Sequence, residues 1–270
     1  MKSSMKPRAR SGPSARSLSP VGPLWVLMVL SQSTRRRRHI RRKSLPREPS
    51  SLFDMCMHDE ALNRWQRGWS ASRGWTDFQC IDDVTVVRIG EPERRVEYVA
   101  TEQHATAAAH LALTDCNPPG TSWLTIAAGA ADRVAADLRP FEIVRTEWLM
   151  TVRLADQVSY PVPPPYSLEL SATPSVVEAQ VYEYGEIAAT GRMAILHTGA
   201  VADMIQTDPA HRRRGLARAV MTALGHAARC RSATTAYLAA SPDGRRLYKC
   251  LGWTTLTPLV VARTSLTSSR

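Results

Sequence analysis

The second half of the chain alternates between apolar and polar residues over several short runs, which is typical of strands with one buried face. Gly185 and Gly191 stand inside these runs as turn or bulge points. The pattern predicts strands at 147–154, 166–170, 176–184, 186–196, 201–206 and 235–239, helices at 215–230 and 243–251, and a final strand pair or hairpin arm over 254–261. Helices that follow and cover strands in this way predict a mixed α/β (α+β) fold, with a mixed central sheet and flanking helices.

Residues 55–140 give a looser version of the same order. Trp65 and Trp69 are four residues apart and share a helix face with Leu62. The pattern predicts a helix over 60–75, strands at 84–89, 95–100 and 122–127, and helices at 102–113 and 130–138. One hypothesis, which rests on element order alone, is that this region is a degenerate copy of the domain formed by residues 141–270.

Positive charge is concentrated in residues 1–54. The chain has a net charge of +11, and this segment holds 13 Lys and Arg against 2 Asp and Glu, whereas the rest holds 22 of each sign. Its Ser, Pro and Arg residues cannot bury enough apolar surface to order it, which predicts a basic disordered tail. A basic arm suits nucleic acid or a membrane surface. The alternative is an over-extended start, since Met55 and Met57 stand where the globular pattern begins.

The neutral remainder predicts that the globular part has no nucleic-acid partner. The apolar run at 23–30 is too short to span a bilayer, and the arginines after it argue against a signal peptide. The five cysteines are scattered, without the spacing of metal ligands. We therefore expect reduced thiols in a cytoplasmic protein, with no metal and no membrane partner.

The segment 207–217 reads T-D-P-A-H-R-R-R-G-L-A and joins a predicted strand to a predicted helix. The N–H groups at a helix start have no intrahelical partner, and the helix dipole adds positive charge there. Gly215 lacks the Cβ that would keep a ligand from the backbone, and Ala217 is also small. The loop therefore predicts a site for phosphate or pyrophosphate. An ordinary surface turn with solvated arginines is the alternative.

Residues 212–217, Arg-Arg-Arg-Gly-Leu-Ala, resemble the Q/R-x-x-G-x-G/A signature of the GNAT N-acetyltransferase superfamily. A second block, residues 238–253, is similar to the family's strand, short helix and Tyr-x-x-x-Gly-aromatic ending. The clear match covers residues 200–261. The resemblance implies a GNAT-like acyltransferase fold, acetyl-CoA as cosubstrate, and transfer of the acetyl group to a primary amine.

The resemblance also implies which residues hold the cofactor. The end of the strand would bind the pantetheine arm through its main chain, and the loop would wrap the pyrophosphate, with charge-assisted bonds from arginine side chains. The implied cofactor-binding residues are Ile205, Gln206, Thr207, Arg212, Arg213, Arg214, Gly215, Leu216 and Ala217.

Tyr248 stands where the family often keeps a tyrosine near the thioester sulfur, and its phenol would protonate the leaving thiolate. The alternative is a tyrosine that only packs on the sheet. The general base is less defined, because Val201 occupies the position of the glutamate found in relatives. Asp203, two residues on and on the same strand face, is the candidate. The alternative bases are Glu178, Glu183, Glu186 and His211.

The acceptor is open between a small-molecule amine and a protein amino group, and the protein is expected to be a monomer or a homodimer. Two other functions fit parts of the sequence. A nonenzymatic acetyl-CoA-binding regulatory protein would need only the loop. A nucleic-acid-binding protein would use the basic tail, although the neutral globular part weakens that interpretation.

Overall fold

The computed structural model describes residues 52–265, so most of the predicted basic tail lies outside the described residues. Its helices are α1 (Leu52–Arg73), α2 (Ala105–Thr114), α3 (Ala131–Val134), α4 (Leu216–Cys230) and α5 (Pro242–Cys250). Its strands are β1 (Phe78–Ile81), β2 (Val84–Glu91), β3 (Arg94–Thr101), β4 (Ser122–Ala127), β5 (Glu142–Arg153), β6 (Ser167–Ala172), β7 (Val176–Glu183), β8 (Glu186–Leu196), β9 (Gly199–Thr207), β10 (Thr235–Ala240) and β11 (Thr254–Arg263).

The elements follow the sequence pattern, with several differences. Helix α1 begins at Leu52, before the helix expected over 60–75 and inside the tail predicted for 1–54, and strand β5 begins at Glu142, before the strand expected over 147–154. Residues 254–261, expected as a strand pair or hairpin arm, belong to the single strand β11. The helix expected over 130–138 is reduced to the short α3, after which the chain continues as turns. Strand β1 was not predicted, because its residues are largely exposed and show no buried face.

The strands form one sheet in the order β1-β2-β3-β4-β11-β5-β10-β9-β8-β7-β6. All neighbours are antiparallel except two pairs, β3 with β4 and β9 with β10. Each parallel pair is joined through a helix, α2 in the first case and α4 in the second. The predicted mixed central sheet with flanking helices is confirmed.

In the middle of the sheet, the last strand of the chain lies between two earlier strands. Strand β11 lies between β4 and β5, and strand β5 lies between β11 and β10. Leu259 of β11 pairs with Ala127 on one side and with Glu147 on the other. Strand β11, from the end of the chain, thus stands beside the N-terminal pair β3–β4, whereas β5, which stands beside β10, belongs to the same half as β9 and β10. The sheet is continuous across Pro140, the predicted boundary between the halves.

The helices cover both faces of this sheet. Helix α1 packs on one face, where its Trp65 and Trp69 stack with ring centroids 5.3 Å apart against Val99, Leu149 and Val201. The opposite face carries α2 over the N-terminal strands and α4 over the C-terminal strands. The α4 side chains on this face repeat at helical spacing and are buried: Leu216, Ala219, Val220, Met221, Leu224 and Ala228.

Gly68 sets how closely α1 approaches β9. A Cβ added at Gly68 would lie 2.2 Å from Cγ2 of Val201, whose side chain is buried. We expect Gly68→Ala to lower the free energy of unfolding by about 1–3 kcal/mol, since overpacking outweighs the better helix propensity of alanine. Urea titration followed by circular dichroism measures this change.

Gly199→Ala is the matched control, because the added Cβ would only reach a van der Waals contact of 3.6 Å with the Leu196 carbonyl oxygen. An increase in stability for Gly68→Ala would mean that α1 can move away from β9 without loss. In that case the close contact at Gly68 would not determine the position of α1.

Candidate active site

The loop between β9 and α4 presents a row of free backbone amides. Pro209–His211 form a single 3-10 turn, capped by the Asp208 side chain, which accepts a hydrogen bond from the Ala210 amide. Among residues 52–265, no acceptor is found for the N–H groups of residues 212–217. Such a run of unpartnered amides at a helix start is suited to binding an anion.

Two residues bend the loop into this shape. Arg213 has a φ of 65°, and Gly215, the residue before α4, has a φ of 84°. At Gly215 the left-handed backbone favours glycine, and no atom of the described chain lies within 4 Å of the position that a Cβ would take. The position that a side chain would take at Gly215 is therefore open.

The strand that leads into the loop has a free backbone edge. The parallel pairing of β9 with β10 comprises only three pairs and ends at Val201 with Tyr237. Beyond that point β10 continues to pair with β5, while β9 pairs only with β8. The edge of β9 that faces β10 is therefore open along Ile205, Gln206 and Thr207, which are three of the predicted cofactor-binding residues.

A bulge in β9 accompanies this opening. The register of β8 against β9 shifts between Thr190 and Arg192, and Met204 of β9 has a φ of 53°. Gly191 lies at the shift, where an added Cβ would come within 2.6 Å of the Ile205 and Val220 side chains. Bulges redirect side chains next to functional sites, and this one turns β9 where its pairing with β10 has ended.

The three predicted arginines have different surroundings. Arg213 is exposed, and Arg212 is exposed with its Nε 3.4 Å from the Thr207 carbonyl oxygen. Arg214 is engaged, because its Nη1 donates to the Tyr166 hydroxyl at 2.6 Å and lies 3.5 Å from Glu183 Oε1. Arg212 and Arg213 are thus the side chains free to turn toward an anion, whereas Arg214 is bound to the protein.

Tyr248 lies on α5, on the same face of the sheet as α4. It is 8% exposed, and its ring centroid lies 6.0 Å from that of Trp253, the aromatic residue at the end of the motif. Burial raises the pKa of the Tyr248 phenol, and the Asp203 carboxylate raises it further. Among residues 52–265, its hydroxyl has no protein hydrogen-bond partner. The phenol is therefore protonated at neutral pH and available to donate.

Asp203 is held by the end of α1. Its Oδ2 accepts from the Ser72 hydroxyl at 2.8 Å and from Arg73 Nε at 2.5 Å, and its Oδ1 accepts from Arg73 Nη2 at 3.1 Å. Arg192 pairs directly across from it on β8 and forms an ion pair with Glu178 at 2.8 Å. The carboxylate is thus oriented by side chains that the sequence analysis did not connect with the site.

The four alternative bases have three different surroundings. Glu178 is paired with Arg192, as described above. Glu183 and His211 lie together beside the loop, with 3.7 Å between Glu183 Oε2 and His211 Nδ1. Glu186 is exposed at the start of β8. The Asp203 carboxylate is the charged group that raises the pKa of the Tyr248 phenol in addition to burial.

Other kinds of site are not found in the part of the chain that the structure covers. Within residues 52–265, no group of His, Cys, Asp and Glu has the arrangement of a metal site. No helix in this range combines the length and the apolar character needed to cross a membrane.

Comparisons with known proteins concern the family and the fold of this chain. Residues 175–255 match the model of the acetyltransferase (GNAT) domain family. A GCN5-related N-acetyltransferase from Kribbella flavida aligns with a TM-score of 0.58 and 16% identity, over 76% of this chain and 95% of its own. A Drosophila protein aligns with a TM-score of 0.52 and 12% identity, over 77% and 89% of the two chains. A comparison with curated proteins finds no match. The structural matches confirm the GNAT-like fold.

Proposed function

Since this chain carries an acetyltransferase domain of the GNAT family, we propose that it transfers the acetyl group of acetyl-CoA to a primary amine. The observation that carries the proposal is the row of free amides at residues 212–217, next to the open edge of β9. A cofactor with both a diphosphate and an amide-bearing arm matches these two features. The acceptor is a small-molecule amine or a protein amino group.

In this proposal the loop and the open edge of β9 together hold acetyl-CoA. The amides of Arg212, Arg213, Arg214, Gly215, Leu216 and Ala217 would bind the diphosphate. The main chain of Ile205, Gln206 and Thr207 would bind the pantetheine arm. Acetyl-CoA supplies an activated acyl group on a thioester, and the chain needs only to hold it, to present a neutral amine and to protonate the departing sulfur.

Tyr248 is the proposed general acid. Its raised pKa keeps the proton on the phenol until the sulfur becomes basic, and its hydroxyl is not engaged by another described residue. Asp203 is the proposed base for the acceptor amine. Its oxygens accept from Ser72 and Arg73, so the amine or a water must take over one of these bonds.

The second candidate is a nonenzymatic acetyl-CoA-binding protein. The engagement of both Asp203 oxygens by Arg73 favours it, because a carboxylate held in this way is poorly placed to remove a proton. Such a protein would bind the cofactor through the same loop without releasing free CoA.

The experiment that separates the two uses the full chain. We expect calorimetry to show that acetyl-CoA binds. Free CoA should form when a panel of amines or a cell lysate is added. With labelled acetyl-CoA, mass spectrometry then identifies the acetylated product. Binding without product in every mixture would favour the nonenzymatic protein. No binding at all would contradict both candidates.

We also propose that residues 55–140 are a degenerate copy of the domain at 141–270, and that residues 1–54 are a tail or an over-extended start. The order β3-α2-β4, a parallel strand pair joined through a helix, matches the order β9-α4-β10. In the copy, β3 and β4 pair continuously from Val96 to Thr101, so their edges stay closed. The segment between β3 and α2 also has no counterpart of the Arg-Arg-Arg-Gly-Leu-Ala sequence. The copy is therefore proposed to bind no cofactor.

The cellular location of the protein and its oligomeric state are also proposed. Cys80, Cys116, Cys230 and Cys250 are all free thiols, which suits a reducing compartment such as the cytoplasm. We propose a monomer or homodimer whose globular part does not bind nucleic acid.

A further inference from the structure

We propose that Tyr166 and Glu183 are positioning residues that preform the anion-binding loop, acting through Arg214 and His211. The inference rests on the proposed function, in which this loop binds the diphosphate of acetyl-CoA. Neither Tyr166 nor Glu183 belongs to the loop itself. Tyr166 precedes β6, and Glu183 is the end of β7.

The first connection is made by Arg214. Its Nη1 donates to the Tyr166 hydroxyl at 2.6 Å and lies 3.5 Å from Glu183 Oε1. The guanidinium carbon also lies 6.0 Å from the centroid of the Tyr166 ring. Tyr166 is only 7% exposed, so its hydroxyl is a fixed acceptor. The side chain of Arg214 therefore fastens the middle of the free-amide row to the sheet.

The second connection is made by His211, at the other side of the loop. The Tyr166 hydroxyl lies 3.1 Å from His211 Nδ1, and the two rings meet nearly edge to face, at 85°. Because Arg214 can only donate, the Tyr166 hydroxyl accepts from Arg214, and its own proton and second lone pair remain for the hydrogen bond with His211 Nδ1. Glu183 Oε2, 3.7 Å from Nδ1, adds a carboxylate beside both loop side chains.

These contacts matter because the backbone of the loop is otherwise weakly held. Its amides from 212 to 217 make no bond within the described chain, and two of its residues, Arg213 and Gly215, have positive φ. A loop of this kind must otherwise be ordered by its ligand, which reduces affinity. Anchoring His211 and Arg214 to Tyr166 and Glu183 removes that ordering cost before the ligand arrives.

Tyr166→Phe and Glu183→Gln test the inference. We expect each to weaken acetyl-CoA binding about tenfold, the effect of losing a hydrogen bond to a charged group. Affinity for acetyl-pantetheine, which lacks the diphosphate, should stay unchanged, as measured by competition against acetyl-CoA. Tyr182→Phe is the matched control, since its hydroxyl donates to Gln180 on the same strand and does not touch the loop.

A measurement without ligand separates this inference from the proposed function. We expect backbone ¹⁵N order parameters at residues 212–217 to fall in both variants, from about 0.85 toward less than about 0.6, with the rest of the sheet unchanged. Unchanged order parameters, or equal weakening for acetyl-CoA and acetyl-pantetheine, would overturn the inference. If the order parameters fall in the variants but the parent chain does not bind acetyl-CoA, the proposed function is overturned and this inference is not.

Discussion

Gly215→Glu is expected to abolish acetyl-CoA binding. The substitution places a carboxylate in the open space over the free amides, where it can occupy the anion site and repel a diphosphate. Repulsion between like charges at a binding site costs several kcal/mol. The left-handed backbone at Gly215, with φ of 84°, adds about 1–2 kcal/mol of local strain. Calorimetric titration with acetyl-CoA measures the loss.

A second variant separates the effect of backbone strain on acetyl-CoA binding from the effect of the added negative charge. Gly90→Glu adds the same side chain at a φ of 77°, also with no atom within 4 Å of the new Cβ, but in the N-terminal half of the sheet. It should bind acetyl-CoA like the parent and show a similar small fall in melting temperature. If Gly215→Glu retains the parent's affinity, the diphosphate does not bind at the start of α4.

Tyr248→Phe is expected to lower the turnover number by about 10²–10⁴-fold and to leave the affinity for acetyl-CoA unchanged. The ring keeps its packing against Trp253, and only the proton donor is lost. Because burial raises the pKa of the phenol, the parent should keep this proton up to and beyond pH 10, the ordinary value for tyrosine. The deficit of the variant should shrink at low pH, where solvent supplies the proton.

Tyr98→Phe is the control for removing a buried phenol elsewhere. Its hydroxyl donates to Asp115 in the N-terminal half, so the change should lower stability without lowering the turnover number. An equal loss of affinity and rate in Tyr248→Phe would assign that residue a packing role. An unchanged rate would mean that the sulfur leaves without its proton.

Local sequence patterns were sufficient for the loop and the elements beside it. The apolar run at 201–205, the glycine at 215 and the helical spacing after Leu216 are properties of consecutive residues. Strand β9, the turn and α4 follow from them. Strand β1 was missed because its exposed residues, Phe78–Ile81, lack the alternation that a half-buried strand shows. The strand, loop and helix at 199–230 were therefore predictable from the sequence, whereas the short edge strand β1 was not.

Long-range pairing was not visible in the sequence. The bonds from Ser72 and Arg73 to Asp203 join residues on different elements, and no spacing rule relates α1 to β9. The same holds for the contacts of Arg214 with Tyr166 and Glu183, which make this arginine a structural anchor as well as part of the loop. Local periodicity predicts which face of a strand is buried, but it does not predict which strand lies beside it.

The position of β11 between β4 and β5 has a consequence for how this protein is made. Ribosomes release a chain from its N-terminus, so β4 and β5 emerge well before the strand that must lie between them. Until Thr254–Arg263 leave the exit tunnel, both strands keep unpaired edges, which are templates for pairing with other chains. Closure joins residues as distant as Thr125 and Val261, a topology that folds slowly. Protection of the nascent chain by a chaperone is thus most needed just before synthesis of the globular part is complete.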